Sequence, residues 1–570
     1  MISPFSASFK PQGIHLPVYD NALDKIKDIC WQKMKQAGKT SSEYIDRIKL
    51  ELNVIESMGY AGYFLVVKEV IDFCRDNAIF HGAGRGSAVG SLVCYLLGIT
   101  LLDPLKHGLI FERFLNPERI GLPDIDCDIS SEGREDVLDF IRESYGEDMV
   151  AQIRTIGRCR AKQAVIDSFR ICGKDHKLAL SHSKMVPDDC ETLSEAIKEV
   201  PALKQLTAGR LGKEMNHALA LDGTVRSLGR HAGGIIIADK EVSNYVPVSY
   251  TEEGVISDLD MYDAEKYGLI KFDFLGLKSG AVIDELLKVR KPEYDQDFSI
   301  NDPEIYKIIA KGDSIGLFQM ESDRMTGVAK AMEVDNFNDV VALNAIVRPP
   351  TLLAGLDKTY CDVKHGIVKA NYRHEDLEEV LSETHGIMLY QEQAMQVTRI
   401  MAGFSMAEAD TFRKGCGKKL PEVIEKLKED FIIRSIKRGY DKVLVNEMWE
   451  LLELFSGYAF NKSHAVAYSY LTAQTAFFKT YFYHDFMCAT MKIYNSDKYR
   501  LSKCYREIIN KGYKLIPPTS KSQAWTSHNG KDFLLGLCSV SGIGESMVKS
   551  INDAGKCDID GLEWLNTKQE

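Results

Sequence analysis

The sequence has 13 cysteines among 570 residues, but it has no CxxC pair. A zinc ribbon or a redox dithiol, which needs closely spaced cysteines, is therefore not indicated. The N-terminal segment has no apolar core of signal-peptide length, and no uncharged apolar run reaches the roughly 18 residues that cross a bilayer. Scattered single cysteines are typical of buried thiols in a reducing compartment. We therefore expect a cytoplasmic protein with no membrane partner.

Positive charge is also in short supply. The net charge is -11, from 71 Lys and Arg against 82 Asp and Glu. This balance disfavours a nucleic-acid binder with a wholly basic surface, but it does not exclude a locally basic cleft. At this length one hydrophobic core no longer keeps growing, so several domains are expected.

The hydrophobic pattern divides the chain into regions. A capping-box spacing at Thr40 and apolar residues at helical intervals predict a helix that ends at Gly59. Strand-like patterns occur in LPDIDCD, HAGGIIIAD and GLIKFDFLGL, whereas residues 156–230 and 280–510 have helical periodicity. The segment KLIPPTS (residues 514–520) is interpreted as a linker. The sequence thus predicts a mixed α/β core, interrupted by a helical insert and followed by a large helical domain.

One acidic stretch, GLPDIDCDI, spans residues 121–129. Asp124, Asp126 and Asp128 alternate with apolar residues, so in a β-strand their side chains would all point to one face. Carboxylates this close repel one another, and burying even one is costly without compensation. The stretch therefore predicts a positive charge nearby.

The aspartates allow two other interpretations. With Glu135 they fit the acidic positions of an EF-hand loop, but Ile129 stands where that loop needs glycine. Pro117 and Pro123 also break the helix that should enter such a loop. A solvated acidic edge strand remains an alternative, although it does not explain why the intervening positions are wholly apolar.

A second acidic strand favours a metal site. Asp273 lies within GLIKFDFLGL, and a lone acid in an apolar strand is costly unless it is paired or coordinating. Two adjacent strands would bring Asp124, Asp126 and Asp273 around one spot. Such a trio suits two Mg²⁺ ions, which prefer oxygen ligands and stabilise the attacking and leaving oxygens of a phosphoryl displacement.

The glycine-rich turn GAGRGS, residues 82–87, suits the same chemistry. It lacks the lysine of a Walker P-loop and the spacing of the dinucleotide fingerprint. As a turn opening an apolar helix, it would direct backbone N–H groups and the Ser87 hydroxyl at an anion, with Arg85 adding charge. Together with the aspartates, the turn predicts a triphosphate between turn and metals.

These motifs resemble, in order, those of the bacterial C-family replicative DNA polymerases, the DNA polymerase III α subunits. The resemblance covers about residues 45–545 and rests on GAGRGSAVGSLVCYLLGITLLDPL, LIFERFLNPER, LPDIDCD, TIGRCRAKQAV, GRHAGGIIIA, GLIKFDFLGL, GLFQMES, RPP, HGIMLYQEQAMQV, ADTFRKGCGKK and GYAFNKSHAVAY. It implies a DNA-directed DNA polymerase that adds dNTPs to a primer 3′-hydroxyl with two Mg²⁺ ions, which Mn²⁺ can replace, and releases pyrophosphate.

The resemblance also implies a polymerase β-like nucleotidyltransferase palm, an inserted helical thumb and a mainly helical fingers domain. The expected boundaries are an N-terminal arm (1–40), palm (41–155 and 231–279), thumb (156–230), fingers (280–515) and a partial helix-hairpin-helix-like tail (516–570). Family members usually begin with a PHP domain and continue into clamp-binding and OB-fold regions. The chain is therefore expected to be a short form that lacks these regions and has no proofreading activity. A phage-encoded enzyme is one interpretation.

Residue roles follow from the same resemblance. The catalytic and metal-binding trio falls on Asp124, Asp126 and Asp273, whereas Asp128 occupies an acidic position outside it. Nucleotide binding is expected from Arg85, Gly86, Ser87, Lys271, Arg413, Lys414, Tyr458, Asn461, Lys462 and His464. DNA-backbone binding is expected from Arg154, Arg158, Arg160 and Lys162.

Several of these assignments keep an alternative. For each basic residue at the start of the insert, a solvated helix face is an equally good interpretation, and His464 by itself would be interpreted as a core histidine. His231 is expected to support the site or to be structural. Lys414 retains the charge of the family's second arginine but loses its bidentate fork.

The expected partners are primer–template DNA, dNTPs and other replication proteins, without tight coupling to a sliding clamp. Two rival functions remain open. The large fingers region speaks against a template-independent nucleotidyltransferase. The intact aspartate trio speaks against a non-catalytic DNA-binding subunit.

Overall fold

The structure is a computed structural model that describes residues 13–117, 123–188, 190–417, 421–456, 460–519 and 522–554. The chain divides into two compact units, Met1–Pro17 with Arg142–Lys271 and Val18–Ile141 with Phe272–Glu570. The strands of the described residues are β1 (Asp126–Ser130), β2 (Val150–Arg158), β3 (Val225–Ile237), β4 (Val248–Thr251), β5 (Gly254–Ser257), β6 (Lys271–Leu277), β7 (Leu515–Ile516), β8 (Ser527–His528) and β9 (Phe533–Leu534). The predicted mixed α/β fold is confirmed.

The first unit contains a sheet with a helical insert between β2 and β3. β2 pairs antiparallel with β3 and parallel with β5, and β4 pairs antiparallel with β5. Its helices are Ala161–Ile171, His176–Ser183, Leu193–Glu199, Pro201–Ala208, Gly212–Leu221 and Met261–Lys266. The insert has its own core, in which Phe169, Leu193 and Met215 are fully buried. The helical periodicity predicted over residues 156–230 is wrong at both ends, because residues 156–158 belong to β2 and residues 225–230 to β3.

The second unit contains β1, most of β6 and most of the helices. They are Ala22–Gln36, Ser42–Met58, Ala61–Asp76, Leu92–Leu96, Arg134–Tyr145, Lys278–Asp297, Glu304–Ala310, Asp323–Met332, Phe337–Ile346, Pro349–Leu353, Leu356–Lys364, Glu378–Leu381, Gln391–Ala402, Met406–Gly417, Pro421–Lys437, Lys442–Ser456, Lys462–Tyr481, Tyr483–Ile493, Lys498–Asn510 and Glu545–Ala554. Helix Arg134–Tyr145 continues into the first unit. None of the helices in the described part of the chain is long and apolar enough to cross a bilayer.

The helix Lys462–Tyr481 is buried on nearly all sides and organises the largest core. A helix buried in this way must pair its polar side chains, since an unpaired buried charge is costly. Lys479 accordingly contacts Asp313 at 2.7 Å and Glu507 at 2.9 Å. These ion pairs anchor the C-terminal turn of this helix within the second unit.

Two local predictions are corrected by the structure. The helix ending at Gly59 is confirmed, but it is preceded by Ser41 without a side-chain cap, so the capping box at Thr40 does not form. The stretch 514–520 is not a plain linker, because Leu515 and Ile516 form β7 and pair in parallel with β9. Such a two-residue strand depends on its partner and leaves no periodic signal.

Candidate active site

The acidic strands lie side by side. β1 pairs in parallel with β6, and Asp126 stands directly opposite Asp273. The predicted strand begins only at Asp126, so Asp124 lies just before it. Between the two acids, the Ile125 amide donates to the Tyr63 hydroxyl (3.0 Å), and the Tyr63 ring stacks on Phe272. These contacts fix both strands against one apolar layer.

Three carboxylates converge at this point. One oxygen each from Asp124, Asp126 and Asp273 lies within 4.8 Å of the others. Burial, followed by the charges of the other two aspartates, raises the pKa of Asp126 to about 7. A converging set of carboxylate oxygens with unfavourable mutual repulsion is the donor set that divalent cations prefer. The residues present therefore fit a divalent metal site.

Asp128 has a different environment from the trio. It is buried, and its Oδ1 accepts a hydrogen bond from Arg85 Nη1 at 3.2 Å. Arg85 Nε also lies 3.8 Å from Asp126 Oδ2. The alternation of the sequence placed all three acids of the stretch on one face, but the tertiary contacts separate Asp128 from the converging oxygens.

The glycine turn packs directly on β1. The Gly82 amide donates to the Asp128 carbonyl at 2.7 Å, and a Cβ at Gly82 would lie 3.2 Å from the Asp128 Cβ. Gly86 has a φ of 68°, in the left-handed region that favours glycine, and its Cβ position lies 3.8 Å from Asp126 Oδ2. The predicted proximity of turn and aspartates is therefore present, with Ser87 next in the chain.

The helix after the turn does not offer a free N-terminus. A 3₁₀ turn, Ala88–Gly90, intervenes, and the helix then spans only Leu92–Leu96. Its first amides, those of Leu92 and Val93, both donate to the buried carboxylate of Glu51 at 2.9 Å. The expectation that the helix opens directly at the turn is therefore wrong, and an anion would depend on the turn itself.

The motif YAFNKSH joins the glycine turn. Tyr458 lies outside the described residues, and Asn461 caps the helix Lys462–Tyr481 by accepting from the His464 amide. Lys462 Nζ is bound to Glu383 at 2.8 Å. His464 Nδ1 accepts from the Gly86 amide at 3.4 Å. His464 is thus partnered by the turn rather than by a core carbonyl.

Three arginines surround His464. Burial, followed by the charges of Arg85, Arg348 and Arg113, lowers the pKa of His464 to about 4. Arg113 donates to Gln391 Oε1 at 2.8 and 3.1 Å, and the Arg348 guanidinium lies 4.5 Å from the centre of the Phe460 ring. This concentration of positive charge lies beside the turn.

Arg113 was not singled out from the sequence, and neither was Tyr468, whose ring centre is 4.0 Å from that of His464. Both residues are within the motifs LIFERFLNPER and GYAFNKSHAVAY. Tyr468 follows His464 by one helical turn, and this spacing could have identified it.

Comparison with known proteins agrees with these features. Residues 24–276 match the bacterial DNA polymerase III alpha NTPase domain, and residues 281–439 match the bacterial DNA polymerase III alpha subunit finger domain. The chain is 36% identical to the DNA polymerase III subunit alpha of Aquifex aeolicus over 95% of this chain and 50% of that protein. It is 38% identical to the DNA polymerase III subunit alpha of Pseudomonas aeruginosa, over 90% of this chain and 45% of that protein. This chain belongs to the DNA polymerase III alpha family. It spans about half the length of the curated relatives it matches.

The fingers-domain match includes two cations expected at the nucleotide. Arg413 donates to Asp410 Oδ1 at 2.8 and 2.9 Å, and Lys414 contacts Asp410 Oδ2 at 2.8 Å. Asp410 is buried, and the two cations lower its pKa despite that burial. The pair is therefore held by one carboxylate on its own helix.

The basic residues of the DNA polymerase III alpha NTPase region are dispersed. Arg154 and Arg158 lie on β2, so a solvated helix face is the wrong interpretation for both. Arg154 binds Asp258, Arg158 donates to the Gly223 carbonyl, and Lys162 binds Asp188. Arg160, which precedes the helix Ala161–Ile171, is exposed. Their expected contact with DNA remains a prediction.

Two further predictions concern single residues. His231 Nδ1 accepts from the amides of Gly233 (3.2 Å) and Gly234 (2.6 Å) within β3. Lys271 is the first residue of β6, two positions before Asp273. Side chains two apart on a strand point to the same face, so Lys271 shares a face of β6 with Asp273.

Proposed function

We propose that this chain is a DNA-directed DNA polymerase that extends a primer 3′-hydroxyl with template-matched dNTPs and releases pyrophosphate. The observation that carries the proposal is the carboxylate trio within 4.8 Å, packed against a glycine turn and an arginine side chain. Membership of the DNA polymerase III alpha family supports the same reaction.

Asp124, Asp126 and Asp273 would hold the divalent cations, which we propose to be two Mg²⁺ ions that Mn²⁺ can replace. Bound there, the cations would supply Lewis-acid stabilisation for the attacking and leaving oxygens. The paired strands β1 and β6 orient Asp126 and Asp273 before substrate arrives, and Asp124 lies just before β1, so little reorganisation would be needed at the moment of reaction.

The triphosphate would lie along the turn. Gly86 allows the backbone to approach closely, Ser87 would donate its hydroxyl, and Arg85 would contribute charge. Arg113, whose charge also acts on His464, would contribute a second guanidinium. Further nucleotide contacts are proposed for Lys271, Arg413, Lys414, Tyr458, Asn461, Lys462 and His464.

The division into palm, thumb and fingers is proposed with the boundaries expected from the sequence. Primer–template DNA is the proposed partner, with Arg154, Arg158, Arg160 and Lys162 as candidate contacts to the phosphate backbone. Other replication proteins and a cytoplasmic location in a bacterial cell or host are part of the same proposal.

The test is extension of a labelled primer on a defined template with Mg²⁺ and dNTPs. We expect Asp126→Asn to reduce the rate by about a thousandfold or more, equivalent to about 4 kcal/mol of transition-state stabilisation. Asp136→Asn, an exposed aspartate of the neighbouring helix, is the matched control and should retain full activity.

A second readout is independent of catalysis. Asp126→Asn removes repulsion within the trio, so without metal it should unfold at a temperature no lower than the unaltered chain. It should also lose most of the stabilisation by added Mg²⁺. An active Asp126→Asn protein would refute the metal assignment, and incorporation that ignores the template would refute the proposed reaction.

A further inference from the structure

Asp128 and Tyr468 form a contact that the proposed reaction does not yet use. Asp128 is only 4% exposed, it accepts a hydrogen bond from Arg85, and the Tyr468 hydroxyl lies beside the same carboxylate. Tyr468 lies on the helix Lys462–Tyr481 and is itself buried. A buried carboxylate thus binds a donor of the glycine turn and faces a hydroxyl of a helix far along the chain.

Arg85 is the group that this contact restrains. Its Nη1 is bound to Asp128, its Nε lies 3.8 Å from Asp126 Oδ2, and its guanidinium carbon lies 5.9 Å from the centre of the Tyr468 ring. The side chain is nevertheless 36% exposed. One edge of the guanidinium is therefore fixed, while part of the side chain still faces solvent beside the carboxylate trio.

Such restraint has a thermodynamic consequence. A free arginine side chain has considerable rotamer entropy, part of which is lost when it binds an anion. A guanidinium already fixed by a buried carboxylate loses less of that entropy, so it binds a phosphate oxygen more tightly. The Tyr468 hydroxyl in turn fixes the rotamer of Asp128.

We propose that Asp128 and Tyr468 are positioning residues that hold Arg85 for the triphosphate of the incoming nucleotide. The inference rests on the proposed function. Neither residue would touch the nucleotide, and both act through Arg85. The helix that carries His464 thereby controls the glycine turn at two points, through the Gly86 amide and through Arg85.

The test is a set of conservative variants assayed by steady-state primer extension. Tyr468→Phe removes only the hydroxyl, and Asp128→Asn keeps the shape while removing the charge. We expect each to raise the KM for dNTP about tenfold, the effect of losing one hydrogen bond to a charged group, and to change kcat by less than about twofold. The KM for primer–template should not change.

The matched control is Tyr470→Phe. Tyr470 lies on the same helix, but it packs on Phe298 and lies beside Tyr294 instead. It should leave both kinetic constants unchanged. Equilibrium titration of a non-hydrolysable dNTP into the complex with a chain-terminated primer–template gives a second readout, in which only Tyr468→Phe and Asp128→Asn should weaken binding.

A double-mutant cycle separates positioning from a merely structural role. If Tyr468 acts through Arg85, then Tyr468→Phe should cause no further rise in KM when Arg85 is already Ala. The inference would be overturned if the rises in KM caused by Tyr468→Phe and Arg85→Ala multiplied in the double variant. A Tyr468→Phe protein with an unchanged KM would overturn it as well. If neither the unaltered chain nor Tyr470→Phe extends a primer, the proposed function fails and the inference falls with it. If both extend normally and Tyr468→Phe equals them, only the positioning role is refuted.

Discussion

Glu51 offers a sharp test of how the segment after the glycine turn is held. The residue is fully buried in the helix Ser42–Met58 and accepts from four donors. They are Arg47 Nε (2.6 Å), Ser91 Oγ (2.7 Å) and the amides of Leu92 and Val93 (2.9 Å each). Burial raises the pKa of Glu51, although these donors oppose the rise.

Replacement of Glu51 by alanine would leave a half-buried guanidinium and three neutral donors without their acceptor. Removing one partner of a buried ion pair typically costs about 3–5 kcal/mol, and we expect a loss in that range. Arg47 Nη2 also donates to the Gly90 and Leu109 carbonyls, so both segments should loosen together. Glu51→Gln should lose less, because one acceptor oxygen remains.

The matched control is Glu56→Ala on the same helix. Glu56 is 57% exposed and lies 3.6 Å from Lys27, so its removal should cost at most about 1 kcal/mol. Amide hydrogen exchange over residues 88–97 gives the opening free energy of this segment, and urea unfolding gives the loss for the whole unit. Equal losses in the two alanine variants would refute the reasoning.

Two other predictions concern stability. Gly90→Ala should destabilise the protein by about 1–3 kcal/mol, since the added Cβ would lie 2.8 Å from the Ile110 carbonyl oxygen. The control is Gly327→Ala within a helix, where the added Cβ meets nothing within 4 Å and the substitution should be neutral or stabilising in thermal unfolding. Equal melting temperatures of the two variants would contradict this prediction. Burial lowers the pKa of His81 to about 4. The unfolded chain therefore binds more protons below about pH 6.5, and stability should fall by about 2 kcal/mol between pH 7.5 and pH 5 through His81 alone. Urea unfolding of His81→Gln should show a flatter pH dependence, unlike that of exposed His176→Gln, and an unaltered slope would exclude the assignment.

Elements with strong local patterns were predicted well. The apolar residues around Asp273 predicted β6, and helical periodicity over residues 280–510 predicted a helical region that includes Pro421–Lys437. The start of β3 was missed because residues 225–230 are exposed and polar in large part. Their strand conformation depends on backbone pairing with β2, and a hydrophobic pattern does not report such pairing.

The site also has features that local patterns predict and features that they do not predict. Charge and alternation indicated a carboxylate cluster, since adjacent acids in an apolar strand need compensation. They could not separate Asp128 from Asp124 and Asp126, because all three alternate with apolar residues in the same stretch. Only the resemblance to a family made that distinction, and the contacts with Arg85 and Tyr468 now give its physical reason.

The sequence by itself determined the mixed α/β class, the acidic trio, the glycine turn and the family, because each is written in short-range spacing or in the order of motifs. Tertiary structure alone decided which distant side chains meet the glycine turn and the segment that follows it. His464 contacts the Gly86 amide, 378 residues away in the sequence, and Glu51 accepts from the first amide of a helix that begins 41 residues later. Contacts between residues so far apart arise from packing of the whole unit, and no local spacing encodes them.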